Sequence, residues 1–248
     1  MPMTACRVVV VKDTAALAHA AAELFVKLAA QTASARRPFH VLLAGGRTPK
    51  ALYALLASGA YRSRVDWDRV AFFFGDERAV PPDHPQSNYR MANEVLFRPL
   101  GIAESSVHRM KAEADDLDAA AAEYEGELRA CFGAFPRYDL VVLGMGSDGH
   151  TASLFPGSPV LKERARWVAP VLDAPKPPPR RLTVTLPVLN AGQQVVFMVA
   201  GRDKAPALRE VLEGTAPPEQ YPAKCIQPGP ERLLWLVDEA ASAKLQGR

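Results

Sequence analysis

The chain has 248 residues, 48% of them hydrophobic and 23% charged, with 30 Lys and Arg against 27 Asp and Glu. That length and apolar content can build a sizeable core, and the small charge imbalance excludes an intrinsically disordered chain. A net charge of +3 is too small for a nucleic-acid coat, though it favours an anionic ligand. No apolar run approaches the roughly 18 residues of a membrane span; stretches such as Val195–Ala200 are strand-sized. Cys6, Cys131 and Cys225 are odd in number and far apart, which argues against a disulfide framework or a metal knuckle and fits a reducing compartment. A cytoplasmic globule without membrane or nucleic-acid partners is expected.

Met1–Lys12 reads as a strand around Arg7-Val8-Val9-Val10-Val11. A helix follows, with Leu17, Ala21, Leu24 and Leu28 on one face at the 3.6-residue period. Asp13 and Glu23 argue against a transit leader, so this is the expected first β-α unit. His40–Ala44 is a short buried strand, followed by a turn and a helix from Pro49 to about Ala57. Val70–Phe74 ends in Gly75-Asp76-Glu77-Arg78 and a proline-bearing loop, after which Ser87 caps a helix to about Phe97. Asp115–Cys131 puts Leu117, Ala121, Tyr124, Leu128 and Cys131 on one helical stripe. Strands at Tyr138–Leu143, Trp167–Val171, Leu182–Leu186, Gln194–Ala200 and Leu233–Val237 follow, with helices at Lys204–Leu212 and Glu239–Leu245.

Short apolar strands alternating with helices predict an α/β protein with a doubly wound, mostly parallel, Rossmann-like sheet in three layers. Strand follows strand more often in the later part, so a mixed edge is expected. No internal repeat is present. The proline-rich run Pro175–Arg180 is a stiff loop inside a single domain spanning 1–248.

Ligands of such sheets bind beyond the carboxyl ends of the strands. The first candidate turn is Ala44-Gly45-Gly46-Arg47-Thr48-Pro49-Lys50. Its glycines permit a sharp turn, Thr48 suits an N-cap, and Pro49 suits the first helical position. Free amides at the helix start, with Arg47 and Lys50, favour phosphate; the plain alternative is a tight turn with surface basics. At the second turn Arg78 can hold an anion bidentately, while Asp76 and Glu77 can orient sugar hydroxyls or hold Arg78. His84, beside two prolines, reads as a loop residue.

The third turn, Leu143–Ser153, contains Gly144-x-Gly146-x-x-Gly149 after a strand. A dinucleotide fingerprint would need an acid about 20 residues on, and Trp167–Val171 has none. Instead His150 stands in a backbone cradle flanked by Asp148. Ser153 is not in a G-x-S-x-G elbow. Asp148, His150 and Asp76 lack a metal-ligand spacing, so neither metal nor cofactor is implied. Lys204, after Gly201 at a helix start, and Arg180 and Arg181 are further candidate anion contacts; the plain alternatives are a turn residue and solvated charges beside a proline run.

With these residues together, the chain resembles the 6-phosphogluconolactonase family, related to glucosamine-6-phosphate isomerase/deaminase. The likeness rests on Gly45-Gly46-x-Thr48-Pro49, Asp76-Glu77-Arg78 with Val80-Pro81, Ser87-Asn88, the run from Leu143 to Pro156, Arg181-x-Thr183 and Gly201-x-x-Lys204. Arg47 and Ala44 stand where the family has serines, so the backbone cradle is expected to persist without those hydroxyls. The resemblance implies hydrolysis of 6-phospho-D-glucono-1,5-lactone in the oxidative pentose phosphate pathway. It implies His150 as general base, with the phosphate held by Gly45, Gly46, Arg47, Thr48, Arg78 and Lys204. Asp148 would orient His150, and Asp76 and Arg181 would add contacts. The expected partner is the sugar-phosphate lactone alone, on a monomer or weak homodimer. In the sister deaminases a Glu lies five residues beyond the equivalent histidine and a Tyr replaces Arg78; here the first position is Phe155. A catalytically silent sugar-phosphate sensor would be expected to carry an added DNA-binding segment, and no helix-turn-helix pattern precedes Arg7 or follows Leu245.

Overall fold

The valines of Arg7–Val11 (β1) open a run of elements in a computed structural model that describes residues 6–246. The first five residues of the expected opening strand lie outside the described residues. The other strands are Phe39–Leu43 (β2), Val70–Phe74 (β3), Asp76–Arg78 (β4), Val107–His108 (β5), Leu140–Gly144 (β6), Val168–Val171 (β7), Arg181–Val184 (β8), Val195–Val199 (β9) and Leu233–Asp238 (β10). The helices are Thr14–Ser34 (α1), Arg47–Leu56 (α2), Asn88–Ala92 (α3), Arg98–Leu100 (α4), Leu117–Phe132 (α5), Leu186–Asn190 (α6), Ala205–Glu213 (α7) and Glu239–Ser242 (α8). None among the described residues is long and apolar enough to cross a membrane.

Seven strands form one sheet in the order β1-β10-β9-β6-β2-β3-β5, and every neighbouring pair is parallel. Runs such as Val195-Val-Phe-Met-Val199 are buried on both faces, because helices cover each side. The expected mixed edge takes another form: β4, β8 and β7 make a separate three-stranded antiparallel sheet. Gly75 is the point of departure. Its N–H still bonds Leu43 of β2 (2.9 Å), while its carbonyl already accepts from Val184 at the end of β8 (2.9 Å). The strand predicted to Leu186 stops at Val184, and α6 begins there with Pro187 in its first turn, where a missing N–H costs nothing.

Polar side chains cap several helices, Ser87 as expected. Asp13 accepts from Ala16 N–H, Ser87 from Arg90 N–H, and Asp116 from the N–H groups of Asp118 and Ala119. The buried stripe of α1 is rotated from the predicted one: Leu17, Ala21, Phe25 and Ala29 point inward, and Leu24 and Leu28 are only half-buried. Phe25 decides this, packing edge-on against Phe39 at 5.1 Å, since its ring removes more apolar surface than a leucine. In α5 the predicted stripe is buried except at its end, where Cys131 is exposed. The helix after Ser87 runs as α3, a π-helical turn over Asn93–Phe97, and α4.

Candidate active site

Strand order reverses beside β2: β3 and β5 extend one way, β6, β9 and β10 the other. The loops after β2 and β6 therefore diverge and leave a crevice at their carboxyl ends. After β2 the chain turns at Gly46, whose φ of +103° is the left-handed region that glycine tolerates. The corner at Gly46 starts α2 at Arg47, so Gly46 is the N-cap and Thr48 and Pro49 lie inside the first turn. Thr48 is thus not the predicted N-cap. No side chain caps this helix, so the amides of Arg47 and Thr48 are available to a ligand. Gly45 has its own constraint, since a Cβ there would fall on the Asn88 side-chain amide. Below, the Tyr53 hydroxyl accepts from Ala44 N–H (3.0 Å) and donates to its carbonyl (2.9 Å), fixing the turn.

The second turn separates two acids that the sequence leaves equivalent. Asp76 borders the crevice, its carboxylate accepting from Ser153 Oγ (2.7 Å) and Asn88 Nδ2 (3.0 Å). Glu77 points the other way. It accepts from the N–H groups of Arg78 (2.7 Å), Asn88 (2.8 Å) and Tyr89 (2.8 Å) and from Ser87 Oγ (3.0 Å). Burial pushes its carboxyl above the ordinary value against these four bonds. Glu77 therefore anchors the start of α3 rather than touching a sugar or the Arg78 guanidinium.

Arg78 donates from Nη1 to the Gln86 carbonyl (2.6 Å), while its Nε is buried without a partner. Arg181 is its cross-strand neighbour, directly opposite in the β4–β8 ladder. Arg181 gives Nε to the Pro178 carbonyl (2.9 Å) and Nη2 to that of Lys176 (2.8 Å). Arg180 turns outward to the Asp115 carbonyl (2.7 Å), so of the two candidate arginines only Arg181 reaches the crevice. His84 is a loop residue, its Nδ1 accepting from Gln86 N–H (3.1 Å).

The glycine turn after β6 closes on itself. Gly146 N–H bonds the His150 carbonyl (2.9 Å), Gly149 N–H bonds that of Gly146 (3.0 Å), and Thr151 Oγ1 reaches back to Gly144 (2.9 Å). No helix follows, as a dinucleotide fingerprint would require. The loop places the His150 ring over the crevice, 18% exposed, against the Phe155 ring at 4.5 Å. Its Nδ1 meets Asp148 Oδ1 at 2.5 Å. Desolvation raises the Asp148 carboxyl, but the bonds from His150 and Lys176 outweigh it and hold the group well below the usual carboxylate range. On the far side Gly201, held by Asp238 through its N–H, turns the chain so that Lys204 borders the crevice, paired with Asp203 at 3.0 Å.

One cavity of about 250 Å³ is lined by Gly45, Gly46, Arg47, Thr48, Asp76, Arg78, His150, Arg181 and Lys204, with Asp148 behind the imidazole. Lys50 is exposed and outside it. The sequence reading passed over Lys176, whose ammonium lies 2.9 Å from Asp148 Oδ2, and Asp203. Five cations thus surround the space against two lining acids, Asp76 and Asp203. Among the described residues no three His, Cys, Asp or Glu side chains are grouped to hold a metal ion.

A doubly wound α/β sheet with a cationic pocket at its switch point defines a protein that binds small anionic metabolites. A sequence model described as glucosamine-6-phosphate isomerases/6-phosphogluconolactonase matches residues 12–235, and the chain belongs to that family. It is 43% identical to a 6-phosphogluconolactonase of Synechocystis sp. over 83% of this chain and 84% of that one. It is 40% identical to the 6-phosphogluconolactonase of Homo sapiens over 93% and 89% of the two chains. The structure superposes on 6-phosphogluconolactonase from Trypanosoma brucei with a TM-score of 0.87 at 28% identity, covering 98% of this chain and 99% of that one.

Proposed function

We propose that the protein hydrolyses 6-phospho-D-glucono-1,5-lactone to 6-phosphogluconate in the oxidative pentose phosphate pathway, with His150 as the general base. The observation that carries this reading is the His150 imidazole opening into the same cavity as an uncapped helix start and five cations. The curated relatives at about 40% identity bear the matching name. Residues 1–248 act as one domain, in the cytoplasm, where the free thiols of Cys6, Cys131 and Cys225 are at home.

The phosphate sits on the amides and side chains of the Gly45–Thr48 turn, with Lys204 and Arg78 supplying charge. Nδ1 of His150 is committed to Asp148, so Nε2 faces the substrate and takes a proton from water as its oxygen attacks C1. The carbonyl π electrons move onto oxygen, and the cationic lining, Arg181 included, stabilises that oxyanion. Collapse breaks the bond from C1 to the ring oxygen, which takes the proton back from His150 and leaves the open-chain acid. Phe155 beside the ring has no proton to relay, which disfavours the ring-opening chemistry of amino-sugar deamination.

The test is a pH-stat assay on freshly prepared lactone against the spontaneous rate, alongside an ammonia assay on glucosamine 6-phosphate. Acid release far above background without ammonia is expected. Ammonia release, or a rate at background, would overturn the reading.

A further inference from the structure

The proline-rich loop between β7 and β8 takes no part in the reaction above. It is firmly placed. Arg181 bonds the carbonyls of Lys176 and Pro178, and the Ala174 N–H closes the loop on the Pro179 carbonyl at 2.9 Å. The backbone so fixed aims the Lys176 ammonium at the dyad: 2.9 Å from Asp148 Oδ2 and 3.3 Å from His150 Nδ1. One carboxylate thus serves two partners, Oδ1 for the imidazole and Oδ2 for the ammonium. An ammonium has donors only, and Nδ1 needs its own proton to meet Oδ1. Lys176, bonded to Asp148, therefore lies against that edge of the ring as a positive charge with no bond to the ring itself, on the side away from Nε2.

We propose that Lys176 is a positioning residue for the hydrolysis: it fixes Asp148 through Oδ2 and opposes premature protonation of the His150 ring, so that the proton comes from the attacking water. This rests on His150 being the base. A carboxylate alone favours the imidazolium, and a cation in contact disfavours it. The other charges facing the ring are Asp148 on its own loop, Arg181 of β8 beyond Phe155 (5.3 Å from that ring), Asp76 and Arg78 of β4, Arg47 after β2, and Asp203 and Lys204 after β9. Of these charged groups among the described residues, Asp148 and Lys176 alone are within hydrogen-bond distance of the imidazole. Removing Lys176 leaves Asp148 uncompensated, and the ring then holds its proton to higher pH.

The experiment compares the wild-type chain with Lys176→Met, Lys176→Gln and Lys176→Arg. The His150 ring is titrated by NMR in the unliganded protein, and kcat/KM for the lactone is followed against pH. In the Met and Gln variants the NMR midpoint and the acid limb of kcat/KM should move together upward by about 1 pH unit. Below the midpoint that is about a tenfold loss, and Arg should restore the wild-type profile. The side chain is 42% exposed, so the neutral variants should fold; Gln serves if Met does not. An unmoved NMR midpoint overturns the proposal, as does a raised KM with an unmoved limb, which would make Lys176 a substrate contact. A wild type inactive on the lactone overturns the proposed function and this role together, whereas an unmoved midpoint in an active enzyme overturns this role alone.

Discussion

Arg78 and Arg181 face each other across the β4–β8 ladder, both guanidiniums lining one cavity. Like charges directly opposite in a sheet repel, and the buried, unpartnered Nε of Arg78 costs about 1–3 kcal/mol more. An anion near the pair relieves both penalties. Arg78→Met should lower kcat/KM by about 10–100-fold, as expected for loss of a charge-assisted contact. The unliganded variant, relieved of both penalties, should melt no lower than wild type, with a smaller rise on adding 6-phosphogluconate. A large drop in the unliganded melting temperature would assign Arg78 to the fold instead.

Removing the base should lower turnover by ~10²–10⁴-fold in His150→Ala, with product affinity by calorimetry nearly unchanged. Gly146 offers a finer probe. A Cβ there would fall on the His150 ring and the Asp148 carboxylate, so Gly146→Ala must part the dyad. Turnover should fall by about tenfold or more while 6-phosphogluconate still binds. Equal losses of binding and turnover would show that the turn, rather than the dyad, had been damaged.

Asp148 predicts a pH dependence of stability. Its carboxyl is depressed in the folded protein, so the unfolded chain binds the proton more readily. The stabilisation is complete above the ordinary aspartate pKa of ~3.9 and is lost as pH falls below it toward the folded value. Asp148→Asn should therefore lower the midpoint of urea unfolding at pH 7, and the gap to wild type should narrow only below about pH 4. A gap that is constant across that range would show that the ion pairs contribute nothing to it.

Glu77 is the stability counterpart. Four donors converge on its carboxylate, two per oxygen. In Glu77→Gln the NH₂ that replaces one oxygen meets a backbone N–H whichever way the amide turns, Tyr89 N–H beside a Ser87 hydroxyl that can turn to accept, or those of Arg78 and Asn88, so a buried donor faces a donor. A loss of about 2 kcal/mol in unfolding free energy is expected. Denaturant melts would check it, and activity per folded molecule should be nearly wild type.

Much of this was legible from composition and order alone. The valine run of β1, the Val-Val-Phe-Met-Val of β9 and the capping aspartates and serine announce their elements because burial and backbone amide satisfaction act locally. Two-residue β5 carries no periodicity and was invisible. The small antiparallel sheet was equally hidden, since a strand's sequence records how buried its faces are, not which partner it joins.

The site divides along the same line. Chain order by itself determined which loops border the cavity, because glycines, a helix start and a histidine directly after strands have few other physical reasons to coincide. Tertiary structure alone decided that Glu77 supports a helix while adjacent Asp76 meets the cavity, that Arg181 enters and Arg180 leaves, and that Lys176 joins Asp148 from 28 residues away. Side-chain direction in a strand alternates, and contact between distant loops depends on the packing between them; neither is written at the position itself.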